Sequence, residues 1–268
     1  MSIITISRGS YSRGKEVAEK VAQELDYRCV SREILLEASE QFHIPEVKLV
    51  RAIHDAPSVF DRFTYGKEKY IAYLRAALLK WVQKDNIVYH GLAGHFFLQD
   101  IPHVLKVRVI ADLEDRVKEE MKRENISAEE ARYILKKDDD ERRKWGLQLY
   151  GHDTRDSSLY DLVVQIKTKK VDDAVNLILY AARMPCFQTT PESQNIINDL
   201  TLAAELKAAL VEEFPTSEVT AKDGIALVKI EAPLSRQEKT TTAIKKIAET
   251  IDGVKEVRVH VIPLMGAT

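Results

Sequence analysis

Ile3-Ile4-Thr5-Ile6-Ser7-Arg8-Gly9-Ser10-Tyr11-Ser12-Arg13-Gly14-Lys15-Glu16 decides how this chain is read. An apolar run passes through Ser7-Arg8 into a loop bounded by two glycines. Val17, Ala18, Val21, Ala22 and Leu25 then recur at helical spacing. The order is strand, loop, helix, with no spacer. Glycine, four residues, glycine and lysine is the Walker A spacing, whose backbone N–H groups turn inward on phosphate oxygens while the lysine reaches the terminal phosphates. The following helix adds the positive end of its dipole. A standard loop continues with Ser or Thr to hold Mg²⁺, whereas Glu16 and Val17 follow here. Ser10, Ser12, a carboxylate elsewhere or water must then hold the metal, or the loop binds phosphate without turnover. The plainer alternative is a tight βα turn that contains Gly and Lys by chance.

The rest of the chain sets bounds. Its 268 residues suffice for about two domains, and 45% hydrophobic with 31% charged residues describes a packed core under a polar surface. A net charge of −2 gives no global drive toward nucleic acid or an acidic membrane. Cys29 and Cys186 fit no metal-binding spacing and read as two buried, reduced thiols. Met1-Ser2-Ile3-Ile4 lacks the charged and apolar regions of an export signal, and no stretch has the length of a membrane span, so a cytoplasmic protein is expected.

Helices are expected from Ser31, as N-cap, through Ala38, over Glu46–Ile53, and from Gly66 to Gln83, with Ala56-Pro57-Ser58 as the break before the last. Asn86–His90 and Val104–Ala111 read as strands buried on both faces, which predicts a parallel sheet with helical crossovers. Asp112–Glu124 is helical, and Ser127 with Glu130 forms a capping box that opens a helix to about Trp145. Tyr160–Ile166 is a further strand and Val171–Ala182 a further helix. Residues 184–195, with Pro185 and Pro191, form an aperiodic connector between residues 1–183 and a C-terminal unit of residues 196–268. That unit reads as αββαβ: helix Ile196–Phe214, strands Ser217–Ala221 and Ile225–Glu231, helix Leu234–Ile251, and strand Val254–Ile262.

Two groups of residues carry chemistry. Lys136, Lys137, Arg142, Arg143 and Lys144, with Arg116, Lys122, Arg123 and Arg132 upstream, place guanidinium and ammonium groups on neighbouring helices, as a phosphate lid needs. Residue by residue, the alternative is a solvated face laced with ion pairs. His90-Gly91-Leu92-Ala93-Gly94-His95 follows a strand, which puts its glycines at the carboxyl edge of the sheet, where open α/β folds bind ligands. Without a carboxylate or third histidine close in sequence, glycine-dictated turn geometry accounts for it better than a metal. Asp153, Arg155 and Asp156 lie in a polar loop before the Tyr160 strand, at the same edge.

In this order the pieces resemble the cytidylate kinase-like family of P-loop nucleoside monophosphate kinases. The matching stretches are Ile4–Arg8 with the loop through Glu16, Ser31–Leu35, Gly91–Leu98, Val107–Arg116, Asp139–Arg142 and Tyr160–Val163, within residues 1–183. The resemblance implies a P-loop NTPase-type α/β fold, a parallel sheet with helices on both faces. It also implies transfer of the ATP γ-phosphate, with Mg²⁺, to CMP or a related monophosphate. Catalytic positions would be Lys15, Asp139 and Arg142. The nucleotide would lie on Gly9, Ser10, Ser12, Arg13, Gly14, Lys15 and Glu16, and the acceptor near Arg32, Gly91 and Arg155. Family members often carry Asp where this chain has Ser31 and Arg where it has Leu92, and a missing arginine removes a bidentate phosphate contact. Residues 196–263 resemble a BON domain, which implies a small α+β module that binds protein or lipid and carries no catalytic residue. The readings in competition are a small-molecule kinase, a nucleotide sensor without turnover, and an α/β scaffold that binds only adventitious anions.

Overall fold

Ser2 to Ile6 are all at most 1% exposed, so the strand β1 (Ile3–Arg8) has to lie inside a sheet covered on both faces. The computed structural model describes residues 2–9, 12–31, 33–54, 66–91, 93–167 and 170–263. Arg32, Ser10 and the break at Ala56-Pro57-Ser58 lie outside them. Four further strands, β2 (Arg28–Val30), β3 (Ile87–Tyr89), β4 (Val104–Ala111) and β5 (Leu162–Ile166), join β1 in the parallel order β2-β3-β1-β4-β5. The register sets Thr5 beside Tyr89 on one side and beside Lys106 on the other.

Side-chain alternation along β1 divides the core. Ile4 and Ile6 point to the face covered by α1 (Gly14–Leu25) and α8 (Val171–Ala182), where Val17, Val21, Ala174 and Ile178 meet them. Ile3 points to the other face. Over it lie α2 (Glu33–Gln41), α3 (Glu46–His54), α4 (Gly66–Val82) and α5 (Gly94–Phe97), together with α7 (Ala128–Tyr150), through Ile34, Leu49, Leu78, Phe97 and Trp145. The helix α6 (Leu113–Glu124) pairs with α7 around Val117, Ala131 and Leu135. Full burial of one such aliphatic side chain contributes about 1.5–3 kcal/mol. The expected α/β architecture, a parallel sheet with helices on both faces, is therefore the architecture observed.

The C-terminal segment follows the predicted αββαβ order: α9 (Pro191–Leu210), β6 (Glu218–Lys222), β7 (Ile225–Ala232), α10 (Gln237–Ala248) and β8 (Glu256–Pro263). β6 and β7 form an antiparallel hairpin closed by Asp223-Gly224, and β8 lies parallel to β7. α9 carries two buried stripes. Leu206 and Leu210 enter the small core with Val228, Ile230 and Ile244. Ile197, Ala204, Ala208 and Val211 instead complete the large core beside α4. Polar contacts follow the same seam: Glu212 accepts from Tyr73 at 2.9 Å and pairs with Lys69, and Gln83 bonds Asn198 at 2.9 Å.

Three details differ from the sequence reading. The helix expected from Ile196 begins at Pro191, inside the expected connector, because Thr190 caps it by accepting from the Ser193 N–H at 3.2 Å and proline suits a first helical turn. α7 runs past Trp145 to Tyr150, through Gly146, where a Cβ would come within 2.8 Å of the His152 carbonyl. The three-residue strand β2 was not expected at all.

Candidate functional site

β1 sits where the strand order reverses, with β3 on one side and β4 on the other, which opens a crevice beyond their carboxyl ends. A cavity of about 830 Å³ occupies it. Ser7, Arg8 and Gly9 reach it from β1, Ser31 from β2, Tyr89, His90 and Gly91 from β3, and Ile110 and Ala111 from β4. Such a volume suits a small-molecule site.

One part of its wall is cationic. Arg8, Arg108, Arg116, Arg142, Arg143, Arg155 and Lys136 line it, against the carboxylates of Glu46, Asp139 and Asp140. The Arg116 guanidinium lies over the loop, its Cζ 3.5 Å from where a Cβ on Gly9 would stand. Asp139 holds it with two parallel hydrogen bonds of 2.8 and 2.9 Å. Arg142 donates to the Arg8 carbonyl at 3.1 Å, and its Nε has no partner among the described residues. Desolvation lowers its pKa from the ordinary arginine value. Arg143 and Arg155 both donate to Asp153, and chiefly the Arg155 bond brings that carboxyl down to about 2.

The loop residues fall in different places. Gly14 is buried against its own strand, since a Cβ there would lie 2.7 Å from the Arg8 Cβ. Ser12 is fully buried and donates to the Gly9 carbonyl at 3.0 Å. Arg13, left-handed at φ 60°, caps α1 and pairs with Glu16 at 2.7 Å. The Lys15 side chain is 64% exposed, pairs with Glu19 at 3.6 Å and does not line the cavity. Of the residues picked from sequence, the structure thus brings Gly9, Gly91, Asp139, Arg142 and Arg155 together and leaves Lys15, Arg13 and Glu16 on the exposed side of α1. Lys122, Arg123 and Arg132 pair with Glu119, Glu124 and Glu114 away from the cavity.

The remaining wall is apolar and aromatic: Ile34, Leu35, Leu74, Leu78, Phe96, Phe97 and Trp145. Phe96 stacks on Tyr150 at 4.4 Å and contacts Trp145 at 5.9 Å. Glycine is required at the two turn positions, because a Cβ on Gly91 would strike the Tyr89 hydroxyl and one on Gly94 would strike Thr5 Oγ1 and the Tyr89 ring. His90 is 6% exposed, and burial lowers its pKa to about 4. Two residues the sequence reading passed over belong here. Arg108 donates to the Tyr160 hydroxyl at 2.9 Å and to the Thr154 carbonyl, and the Tyr160 hydroxyl donates to that same carbonyl. A charge set within the β-branched run of β4 was the available signal.

The cationic wall fits a polyphosphate, with Arg116, Arg142 and Arg8 placed to hold its oxygens beside Gly9. Among the described residues no three side chains form a metal cluster. Mg²⁺ often needs only one or two carboxylates besides substrate phosphates and water, and Glu46, Asp139 and Asp140 are the carboxylates that line the cavity.

A sequence model of the Cytidylate kinase-like family matches residues 3–168. A cytidylate kinase of Thermococcus kodakarensis is 35% identical over 79 residues, which is 30% of this chain and 40% of that protein. The chain thus spans well under half the length of that curated relative. Among solved structures, an uncharacterized protein from Eubacterium ventriosum aligns with a TM-score of 0.52 at 22% identity, over 68% of this chain and 98% of that one. A shikimate kinase from Bacteroides thetaiotaomicron aligns at 0.44 and 10% identity, over 68% of this chain and 99% of that one. With well over half of its residues matched by the family's sequence model, the chain belongs to the cytidylate kinase-like family.

Proposed function

We propose that this protein transfers the γ-phosphoryl group of ATP, bound with Mg²⁺, to a nucleoside monophosphate of the CMP type. The observation that carries this is the cavity's divided wall, six arginines and a lysine on one part and aromatic and aliphatic side chains on the other. Phosphoryl transfer asks mainly for positioning and charge stabilisation. Arg116 and Arg142 would hold phosphate oxygens, and Arg155 and Arg143 the acceptor phosphate. The flat apolar wall would take the base. Bound Mg²⁺ would neutralise charge on the nucleotide's phosphates.

A second reading rests on Lys15, which stands outside the cavity on an exposed helix face. In that reading the domain binds nucleotide without turnover, and the BON-like C-terminal unit passes its state to a protein or lipid partner. ADP release with Mg-ATP against CMP, UMP, AMP and GMP, run beside Lys15→Ala and Arg142→Ala, separates the two. Turnover with one acceptor, lost in Arg142→Ala, supports the kinase. Tight Mg-ATP binding without acceptor-dependent turnover refutes it and favours the sensor.

A further inference from the structure

His95 stands in the cavity wall at the start of α5 and is 5% exposed. Neither of its ring nitrogens has a hydrogen-bond partner among the described residues. Leaving a buried polar group unmet is costly, so a fold that keeps one at a ligand cavity calls for a reason. Among the described residues the ring is held by packing, against Phe96 at 4.1 Å and Tyr160 at 5.1 Å between centroids. The Tyr160 hydroxyl does not relieve it: its hydrogen goes to the Thr154 carbonyl, and its oxygen accepts from Arg108. Gly94 fixes the turn before it against Thr5 and Tyr89.

Protonation is disfavoured here. Desolvation and the neighbouring Arg108 charge lower the imidazole's pKa to about 3, leaving one N–H donor and one bare nitrogen acceptor at neutral pH. A phosphate dianion would draw an imidazolium, and the cavity already holds arginines for phosphate. A neutral donor-acceptor pair beside Phe96 matches an uncharged polar edge of a flat ring.

We propose that His95 determines acceptor specificity by hydrogen-bonding a neutral polar group on the ring of a phosphate monoester. The inference rests on the kinase reading above and adds the residue that selects within its substrate class. A polar site of this kind rejects analogues that leave it unpaired far more strongly than an apolar pocket rejects a change of shape.

The test is calorimetric titration of wild type, His95→Phe and His95→Gln with CMP, UMP, AMP and GMP, and separately with Mg-ADP. His95→Phe is expected to weaken the preferred monophosphate about 10- to 100-fold, while Mg-ADP affinity stays within about twofold, the scatter expected of a residue outside the donor site. His95→Gln, which keeps a neutral donor and acceptor, is expected to recover part of the loss and to change the order of preference. Unchanged monophosphate binding in His95→Phe, or equal losses for both ligands, overturns the proposal. If His95→Phe does not fold, an unaltered order of preference in His95→Gln overturns it equally. Wild type that binds Mg-ADP but no monophosphate overturns the His95 role and leaves nucleotide binding standing. Wild type that binds neither ligand overturns the kinase reading as well.

Discussion

Arg116 and Asp139 face one another fork to fork, with bonds of 2.8 and 2.9 Å, directly above Gly9. The Arg116 side chain is 9% exposed and that of Asp139 42%. Asp139 therefore supplies to Arg116 the two oxygens that a phosphate would supply, and competes with it. Asp139→Asn is expected to tighten binding of ADP measured without Mg²⁺ several-fold at low salt, in a cavity that gains a net positive charge. The same change is expected to lower unfolding free energy by about 1–3 kcal/mol, because a mostly buried guanidinium loses its charged partner. Calorimetry and urea denaturation read the two effects independently. Weaker ADP binding would instead mean that Asp139 positions Arg116 for phosphate.

Gly94→Ala is expected to destabilise by several kcal/mol, since its methyl would overlap Thr5 Oγ1 and the Tyr89 ring, both in the sheet centre. Gly151→Ala offers a control. Gly151 has open space around it and only its positive φ of 72° to oppose a side chain, so about 1 kcal/mol is expected. Urea midpoints of the two variants check the ranking.

Acid is expected to destabilise the fold well before carboxylates titrate. His95 and His90 have folded pKa values of about 3 and about 4 against an ordinary value of 6.5. A depressed folded value means that the unfolded chain binds the extra proton first, so the stabilising contribution is complete above 6.5 and is lost as pH falls toward 4 and 3. At pH 5 each histidine is expected to remove up to about 2 kcal/mol. Urea denaturation at pH 7.5 and 5 tests this, and His95→Phe should flatten the dependence.

The legible parts of the chain were those whose pattern is local. The β-branched run Val104–Ala111 and the periodic stretch Val171–Ala182 appear with the bounds expected of them. β2 escaped because three residues carry no measurable alternation. At the cavity, Gly9, Gly91, Arg142 and Arg155 were singled out by loop spacing, position at the sheet edge and charge, and Asp139 by the family resemblance alone. The outward setting of Lys15 was not legible, since helical position alone does not say which neighbour, Glu19 or a ligand, takes an ammonium group. Nor was the burial of His95, because His90-Gly91-Leu92-Ala93-Gly94-His95 shows a turn and conceals what lies over it.

Removing residues 184–268 is expected to cost the remaining chain its cooperative unfolding transition. Ile197, Ala204, Ala208 and Val211 would leave the large core and uncover the α4 face they fill. Thermal unfolding of the shortened chain, followed by near-ultraviolet circular dichroism, provides the check. A transition as sharp as that of the whole protein would mean that residues 2–183 hold together without α9.

The double-striped helix α9 also governs how protection from solvent exchange should be shared along the chain. A helix buried from both sides cannot open toward either sheet without uncovering the other core, so its amides should exchange with deuterium only through unfolding of the whole molecule. Any ligand that occupies the cavity stabilises that whole molecule. Slowed exchange should consequently appear in β6, β7 and β8, strands that contribute no residue to the cavity, and by the same factor as in β1.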